Sequence, residues 1–404
     1  MKILVIDEWF PYPMDSGKKI RTFNLVLSLA KSNDITYICY KQDTEDFNNG
    51  SIPERIKIVP VPDRRTIKGS AYYFFKVFIN LFQREPFSVK YSYISSMEKE
   101  LNRLLRAEKF DYIICEWTPY AHYLKNVNHS HKILMAHNVE YQQWQRMYEV
   151  TSNPLKKLLF YNQWQSMVEF EKRYFKIFDT IIAVSDLDKE LIHEMSNHDK
   201  VFVVENGVDL DYYKPQSTER KNRVIFTASM DAFANQNAAL YFAEKIFPLL
   251  KSKLPSMEFY IVGRAPNQAI IDLGKTDGIT VTGAVEDVRP YIAQSLVAVV
   301  PILAGGGSRL KILEAMAMGI PVVSTSVGAE GLEVENGKDI LITDSEEQFV
   351  EYIFQCHNDS DLRAKLKSNA LELVKNKYGW EQLGGKLDQY LAQTCLKTEM
   401  VEKP

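Results

Sequence analysis

The chain has 404 residues, enough for two domains that each bury a core of their own. With 46% hydrophobic and 25% charged residues it is globular, which excludes a disordered or fibrous chain. A net charge of −3, with 28 Lys and Arg against 25 Asp and Glu in residues 1–200, gives no ground for nucleic-acid binding. Cys39, Cys115, Cys356 and Cys395 lie far apart without a CxxC pair, so reduced cysteines and no metal site are expected. The opening MKILVIDEW reads as a first strand rather than a signal peptide. No apolar run reaches the roughly 20 residues of a membrane span. The expectation is a cytoplasmic protein, at most peripheral at the inner face of a membrane.

Short apolar strands alternate with helical segments along the first half. Strands are predicted at Ile3–Ile6, Ile35–Tyr40, Ile56–Val59, Tyr112–Cys115, Ile133–Met135, Thr180–Val184 and Val201–Val204. Helical periodicity marks Lys18–Ala30, Met97–Arg106 and Leu155–Phe178. A turn at residues 205–209 and a polar stretch at residues 214–220 read as a linker. The pattern then restarts, with strands Val224–Thr227, Phe259–Val262 and Ile279–Thr282 and helices Ala238–Lys251 and Val288–Ala293. Helices at about Ser345–His357, Asp361–Lys375 and Trp380–Ala392 close the chain. Such alternation means βαβ units, mostly parallel sheets and an α/β fold class of two doubly wound domains facing a cleft. The expected division is 1–215 and 216–377, with a last helix, about 378–404, returning to the first domain.

The most informative stretch runs from Pro301 to Gly331. A buried strand, Val297–Pro301, leads to Gly305, Gly306 and Gly307, then to a helix carrying Arg309, Lys311 and Glu314. Gly319-Ile320-Pro321 stops that helix before another buried strand, Pro321–Thr325. Side-chain-free loops before helices let backbone N–H groups close around phosphate. Two cations beside a helix N-terminus oppose its dipole, a cost that a bound anion relieves. Glu314 adds an acceptor for ribose hydroxyls, so the set suits a nucleotide diphosphate.

Several ordered pieces resemble glycosyltransferase family 4, whose members have the GT-B fold of two Rossmann-like domains. They are Val204-Glu205-Asn206-Gly207-Val208-Asp209, Ile261-Val262-Gly263, Thr282-Gly283-Ala284-Val285 with Asp287 and Tyr291, Lys311-Ile312-Leu313-Glu314-Ala315-Met316-Ala317, Gly319 with Pro321-Val322-Val323, and Gly328-Ala329-Glu330-Gly331-Leu332. The resemblance implies a retaining transferase using a nucleotide-diphosphate sugar as donor and no cofactor. It implies that Glu314 bonds the donor ribose and that Gly283 and Val285 hold the nucleobase. Gly305, Gly306, Gly307, Ser308, Glu330 and Gly331 complete the implied donor side. The chain also departs from the family. A Glu common eight residues before the helix Glu is here Gly306, and the loop after the first strand of the second domain, residues 228–237, has no cation. Arg309 and Lys311 are therefore expected to neutralise the diphosphate.

In the first domain the resemblance implies that Gly17 approaches a phosphate or acceptor, with Arg21 one turn on reaching the same anion. It also places His137 against the transferred sugar. Glu116 and Glu140 sit at strand ends and are expected on the acceptor side. Asp186-Leu187-Asp188 and Asp209-Leu210-Asp211 match a metal-binding DxD pattern but read as a helix start and a turn, so no metal is expected. The aromatic segment Tyr72–Phe82, flanked by Arg64, Arg65, Lys68, Lys76 and Arg84, reads either as a core-packing helix or as a peripheral membrane contact. A glycan or lipid-linked glycan acceptor, in capsule, exopolysaccharide or lipopolysaccharide synthesis, follows by analogy. Two alternatives stay open: a sugar-nucleotide 2-epimerase on the same fold, and a catalytically silent GT-B subunit.

Overall fold

A computed structural model describes residues 1–14, 16–41, 52–63, 65, 70–80, 85–129, 131–304 and 309–401. The chain divides into two compact units: Met1–Glu205 with the C-terminal stretch from Leu383, and a second within Asn206–Gln382.

In the first unit the strands are β1 (Lys2–Trp9), β2 (Asp34–Lys41), β3 (Ile56–Pro62), β4 (Tyr112–Cys115), β5 (Lys132–Met135), β6 (Thr180–Ala183) and β7 (Val201–Val203). The helices are α1 (Gly17–Leu29), α2 (Ala71–Asn80), α3 (Phe87–Ser92), α4 (Ser95–Ala107), α5 (Glu140–Val150), α6 (Pro154–Tyr174) and α7 (Asp186–Ser196). The strands pair in parallel in the order β3-β2-β1-β4-β5-β6-β7. Runs such as Ile3–Ile6 and Tyr112–Cys115 are buried throughout, because helices cover both faces of a parallel sheet. The strand order reverses direction between β1 and β4, and the crevice there, beyond the carboxyl ends, is where open α/β sheets bind ligands.

The second unit repeats the plan with β8 (Arg223–Thr227), β9 (Glu258–Val262), β10 (Ile279–Gly283), β11 (Val297–Val300), β12 (Val322–Ser324) and β13 (Leu341–Ile342). Its helices are α8 (Phe233–Tyr241), α9 (Phe247–Lys253), α10 (Gln268–Leu273), α11 (Arg289–Ala293), α12 (Leu310–Ala317), α13 (Ser326–Ala329), α14 (Glu346–Asn358) and α15 (Ser360–Lys377). The strand order is β10-β9-β8-β11-β12-β13, again parallel, with the switch between β8 and β11. The strands close tightly at their ends: at Gly263, φ 155°, a Cβ would lie 1.7 Å from the Ala228 carbonyl oxygen. A last helix, α16 (Trp380–Val401), buries Leu383, Leu387 and Leu391. In the first unit the Tyr112 hydroxyl donates to the Leu391 carbonyl at 2.8 Å, and Asn33 donates to Asp388 at 2.9 Å.

Two local differences from the sequence expectation have clear causes. The single helix expected at Ala238–Lys251 begins earlier, at Phe233, and its hydrogen bonds widen into a π-turn at Phe242–Ile246. Pro248 lies just beyond; it cannot donate to the turn before it, and its ring crowds the carbonyl four residues back. Helix α5 has no clean apolar stripe that would mark it in the sequence. It is held from outside its own sequence: the buried Glu171 carboxylate on α6 accepts from the backbone N–H groups of Glu140 (2.8 Å) and Tyr141 (3.0 Å), capping the helix.

Candidate functional site

Both switch points carry charged side chains, and each cluster lies within one unit. In the second unit it gathers around α12. Lys311 donates through Nζ to Asn235 Oδ1 at 2.8 Å, and its ammonium sits 4.7 Å from the Phe226 ring centre. Asn235 is itself clamped, its Nδ2 donating to the Ser229 carbonyl at 2.8 Å. Burial, helped by the Arg309 charge and opposed by Glu314, pushes the Lys311 amine down to about 7. Glu314, one turn further along the helix, hydrogen-bonds the Tyr213 hydroxyl. Burial lifts its carboxyl above the usual range, while Tyr213 and Lys311 pull the other way. Arg309 is 4% exposed and donates to the Val327 carbonyl through Nε (3.3 Å) and Nη2 (3.1 Å). Gly305, Gly306, Gly307 and Ser308 lie outside the described residues.

The remaining donor-side residues lie at other strand ends of this unit. Gly283 closes β10 with φ 68°, and Val285 follows it, half-buried. Glu330, half-buried, and Gly331, exposed with φ 80°, follow α13. Asp287 accepts from the Arg289 backbone N–H at 2.9 Å and from its guanidinium, anchoring the start of α11.

In the first unit the cluster sits at the ends of β1, β4 and β5. Glu116, 2% exposed, accepts from Thr22 Oγ1 at 3.0 Å and lies 3.2 Å from His137 Nε2. Burial works to raise the Glu116 carboxyl, but bonds from His137 and Thr22 and the Lys18 charge hold it below the ordinary value. Burial, with Arg21 and Lys18 close by, lowers His137 and favours its neutral ring; Glu116 opposes this. Asp7, buried at the end of β1, pairs with Lys18 and accepts from the Tyr37 hydroxyl at 2.7 Å. Burial lifts its carboxyl to about 6 against the pull of Lys18. Gly17 opens α1, whose cap is Ser16.

Two expected residues have other work in this structure. The Arg21 guanidinium, 1% exposed, donates to the Val204 carbonyl (2.8 Å) and the Glu205 carbonyl (2.6 Å), tying α1 to the chain leaving β7. Glu140 is 5% exposed and accepts from Trp117 Nε1 at 2.6 Å, with burial raising its carboxyl to about 7. One acid of each DxD pair is likewise engaged: Asp188 closes the Ser185 cap of α7, and Asp209 accepts from the backbone of Asp211 and Tyr212. Asp7, Lys18, Tyr37, Asn235 and Tyr213 join the clusters without a site role being expected of them from the sequence. For Asp7 a signal existed, a carboxylate closing the first buried strand; for Asn235, 76 residues from Lys311, there was none.

Known proteins carry the same organisation. The sequence model of Glycosyltransferase Family 4 matches residues 17–212, and that of Glycosyl transferases group 1 matches residues 221–359. A 44.6 kDa protein in the cps region of Klebsiella pneumoniae is 23% identical over 392 residues, 93% of this chain and 96% of its own length. Among solved structures, the sucrose-phosphate synthase of Thermosynechococcus elongatus superposes with a TM-score of 0.76 at 15% identity, covering 98% of this chain and 99% of its own. Anabaena HepE in complex with UDP-glucose gives 0.67 at 16% identity, over 98% of this chain and all of its own. Two parallel Rossmann-like sheets make this a GT-B fold. With the two sequence models falling one on each unit, the chain belongs to glycosyltransferase family 4 and is a glycosyltransferase.

Proposed function

We propose that the enzyme moves a glycosyl group, with retention, from a nucleotide-diphosphate sugar to a hydroxyl of a glycan or lipid-linked glycan, in the synthesis of a bacterial surface polysaccharide. The observation that carries this reading is the α12 cluster, where the half-buried Lys311 amine, bonded to Asn235, and the half-buried Glu314 carboxyl, bonded to Tyr213, stand one turn apart at a switch point. The hard step of such a transfer is departure of the nucleotide, because negative charge builds on its phosphates. Lys311, partly deprotonated without ligand, gains a full proton beside that charge, and Arg309 adds a second cation. Groups placed this way act in a dry site without reorganising during the reaction. Glu314, oriented by Tyr213, is assigned the ribose hydroxyls. In the first unit His137 is assigned the transferred sugar, and Glu116 fixes its ring. Arg21 has no part in the anion set, its guanidinium being committed to carbonyls. Family membership supports reading the transfer as retaining and the donor as a nucleotide sugar, and HepE, solved with UDP-glucose, supports the donor class. The Klebsiella relative in a cps region supports the direction of the pathway.

The test is a thermal-shift screen against UDP, GDP, ADP, CMP and their sugars. A ligand at about 100 times its dissociation constant stabilises the fold by about 2.7 kcal/mol. One diphosphate should shift the midpoint, and Glu314→Ala should weaken it roughly 10- to 100-fold, the loss of a charged hydrogen bond. No shift with any nucleotide would overturn the reading.

A further inference from the structure

Two elements of the first unit expose apolar side chains that the transfer chemistry does not use. On α2, Tyr72, Phe75 and Ile79 are 59%, 56% and 39% exposed; their spacing puts them on one face. Lys76 lies among them, its ammonium 4.7 Å from the Tyr72 ring centre. This face lines a groove of about 580 Å³ whose other wall includes Phe87, Lys90 and Tyr91. At the start of α6, Leu155, Leu158 and Tyr161 are 79%, 60% and 46% exposed, beside Lys156 and Lys157.

The two elements are fixed to one another. Gln163 of α6 donates to Asn80 of α2 at 2.9 Å and accepts from the Phe87 N–H at 2.8 Å. Leu155 lies eight residues before Gln163, about 12 Å along the helix. Their sequence is one-sided in charge. From Arg64 to Arg84 it has five cations and no Asp or Glu, although Arg65 is spent inside the unit on Glu8 and Asp63; from Val150 to Val168 it has two lysines and no acid. The bordering acids are engaged: Glu85 with Arg173, Glu149 with Gln145, and Glu169 with Lys172.

From these observations we propose that α2 and the start of α6 form one surface that docks on a bilayer containing anionic lipid, the aromatic and leucine side chains entering the interface and the lysines meeting headgroups. A second copy suits this surface poorly, since a two-fold contact would set the same cations against each other. No described helix is long and apolar enough to cross a membrane, which fits a surface that lies on one. The proposal does not depend on the donor reading.

The experiment is co-sedimentation of the full chain with phosphatidylcholine vesicles, with and without about one-third phosphatidylglycerol. Binding should require the anionic lipid and weaken in high salt. Leu155→Glu with Leu158→Glu, and separately Lys156→Glu with Lys157→Glu, should each weaken it about tenfold or more, with the thermal midpoint unchanged. The lysine pair, on the helix surface, keeps the test valid if the leucine pair disturbs folding. Absence of binding to anionic vesicles, or binding unmoved by either pair, would overturn the proposal. So would a leucine-pair variant that converts a self-associated form to monomer, which would give this face to a second copy.

Discussion

Lys311 makes the clearest case that a single side chain can set the behaviour of the site. Its amine titrates near 7 in the folded protein, far below the 10.5 of an exposed lysine. Below about pH 7 its partly desolvated charge costs stability, and that cost is relieved as pH rises from about 7 toward the unfolded value. Nucleotide affinity runs the opposite way, because the diphosphate needs the charged form. Binding of a nucleotide-diphosphate sugar, whose phosphates do not titrate near neutrality, followed by calorimetry, should therefore be level below about pH 6 and fall up to tenfold per unit above about pH 7. Asn235 accepts from the charged amine, so Asn235→Leu should move this fall to lower pH, and Asn235→Asp should move it higher. A pH profile identical in all three proteins would remove Asn235 from this role. In turnover, Lys311→Ala should cost about 10²–10³-fold in kcat, as loss of a charge-stabilising group does. The sequence made Glu314, Arg309 and Lys311 legible because they fall within six residues, on and just before one helix that follows a glycine run. It could not show Asn235 or Tyr213, which reach the same spot from other elements, nor that Arg21 turns to backbone carbonyls.

Most strands could be read in advance, because a strand buried on both faces is a bare apolar run and needs no partner to be recognised. Helices held by tertiary contacts were harder. Glu171 caps α5 from α6, and Pro248 sets the π-turn through geometry that periodicity does not encode. The contact of α16 with α1 is similarly close: a Cβ on Gly384 would lie 2.2 Å from Ser28 Oγ. Gly384→Val should therefore destabilise the first unit by about 1–3 kcal/mol, read as a lower denaturation midpoint. Ser28→Gly in the same chain should recover part of the loss. Equal midpoints for the single variant and the parent would show that the two helices part easily.

At the scale of the molecule, both sheets follow one strand order and both hold their charged groups where that order reverses. The division of the chain falls after Glu205 and again before Leu383, displaced from the polar stretch at residues 214–220. The Val208 N–H donates to the Tyr378 carbonyl at 2.7 Å, and Arg289 lies 3.7 Å from the Tyr212 ring centre, so residues beyond Glu205 already belong to the second unit. Linker composition does not report such contacts. The return of α16 has a consequence in time. Leu383, Leu387 and Leu391 fill the first unit's core, yet about 180 residues separate them from β7. A ribosome emits the chain from its N-terminus at about 5–20 residues per second, so the first sheet waits roughly 10–40 s for its last cover. The second unit can complete its own fold in that interval. The domain that begins first is thus finished last, and nascent chains stalled near residue 380 should bind chaperones through an uncovered first sheet.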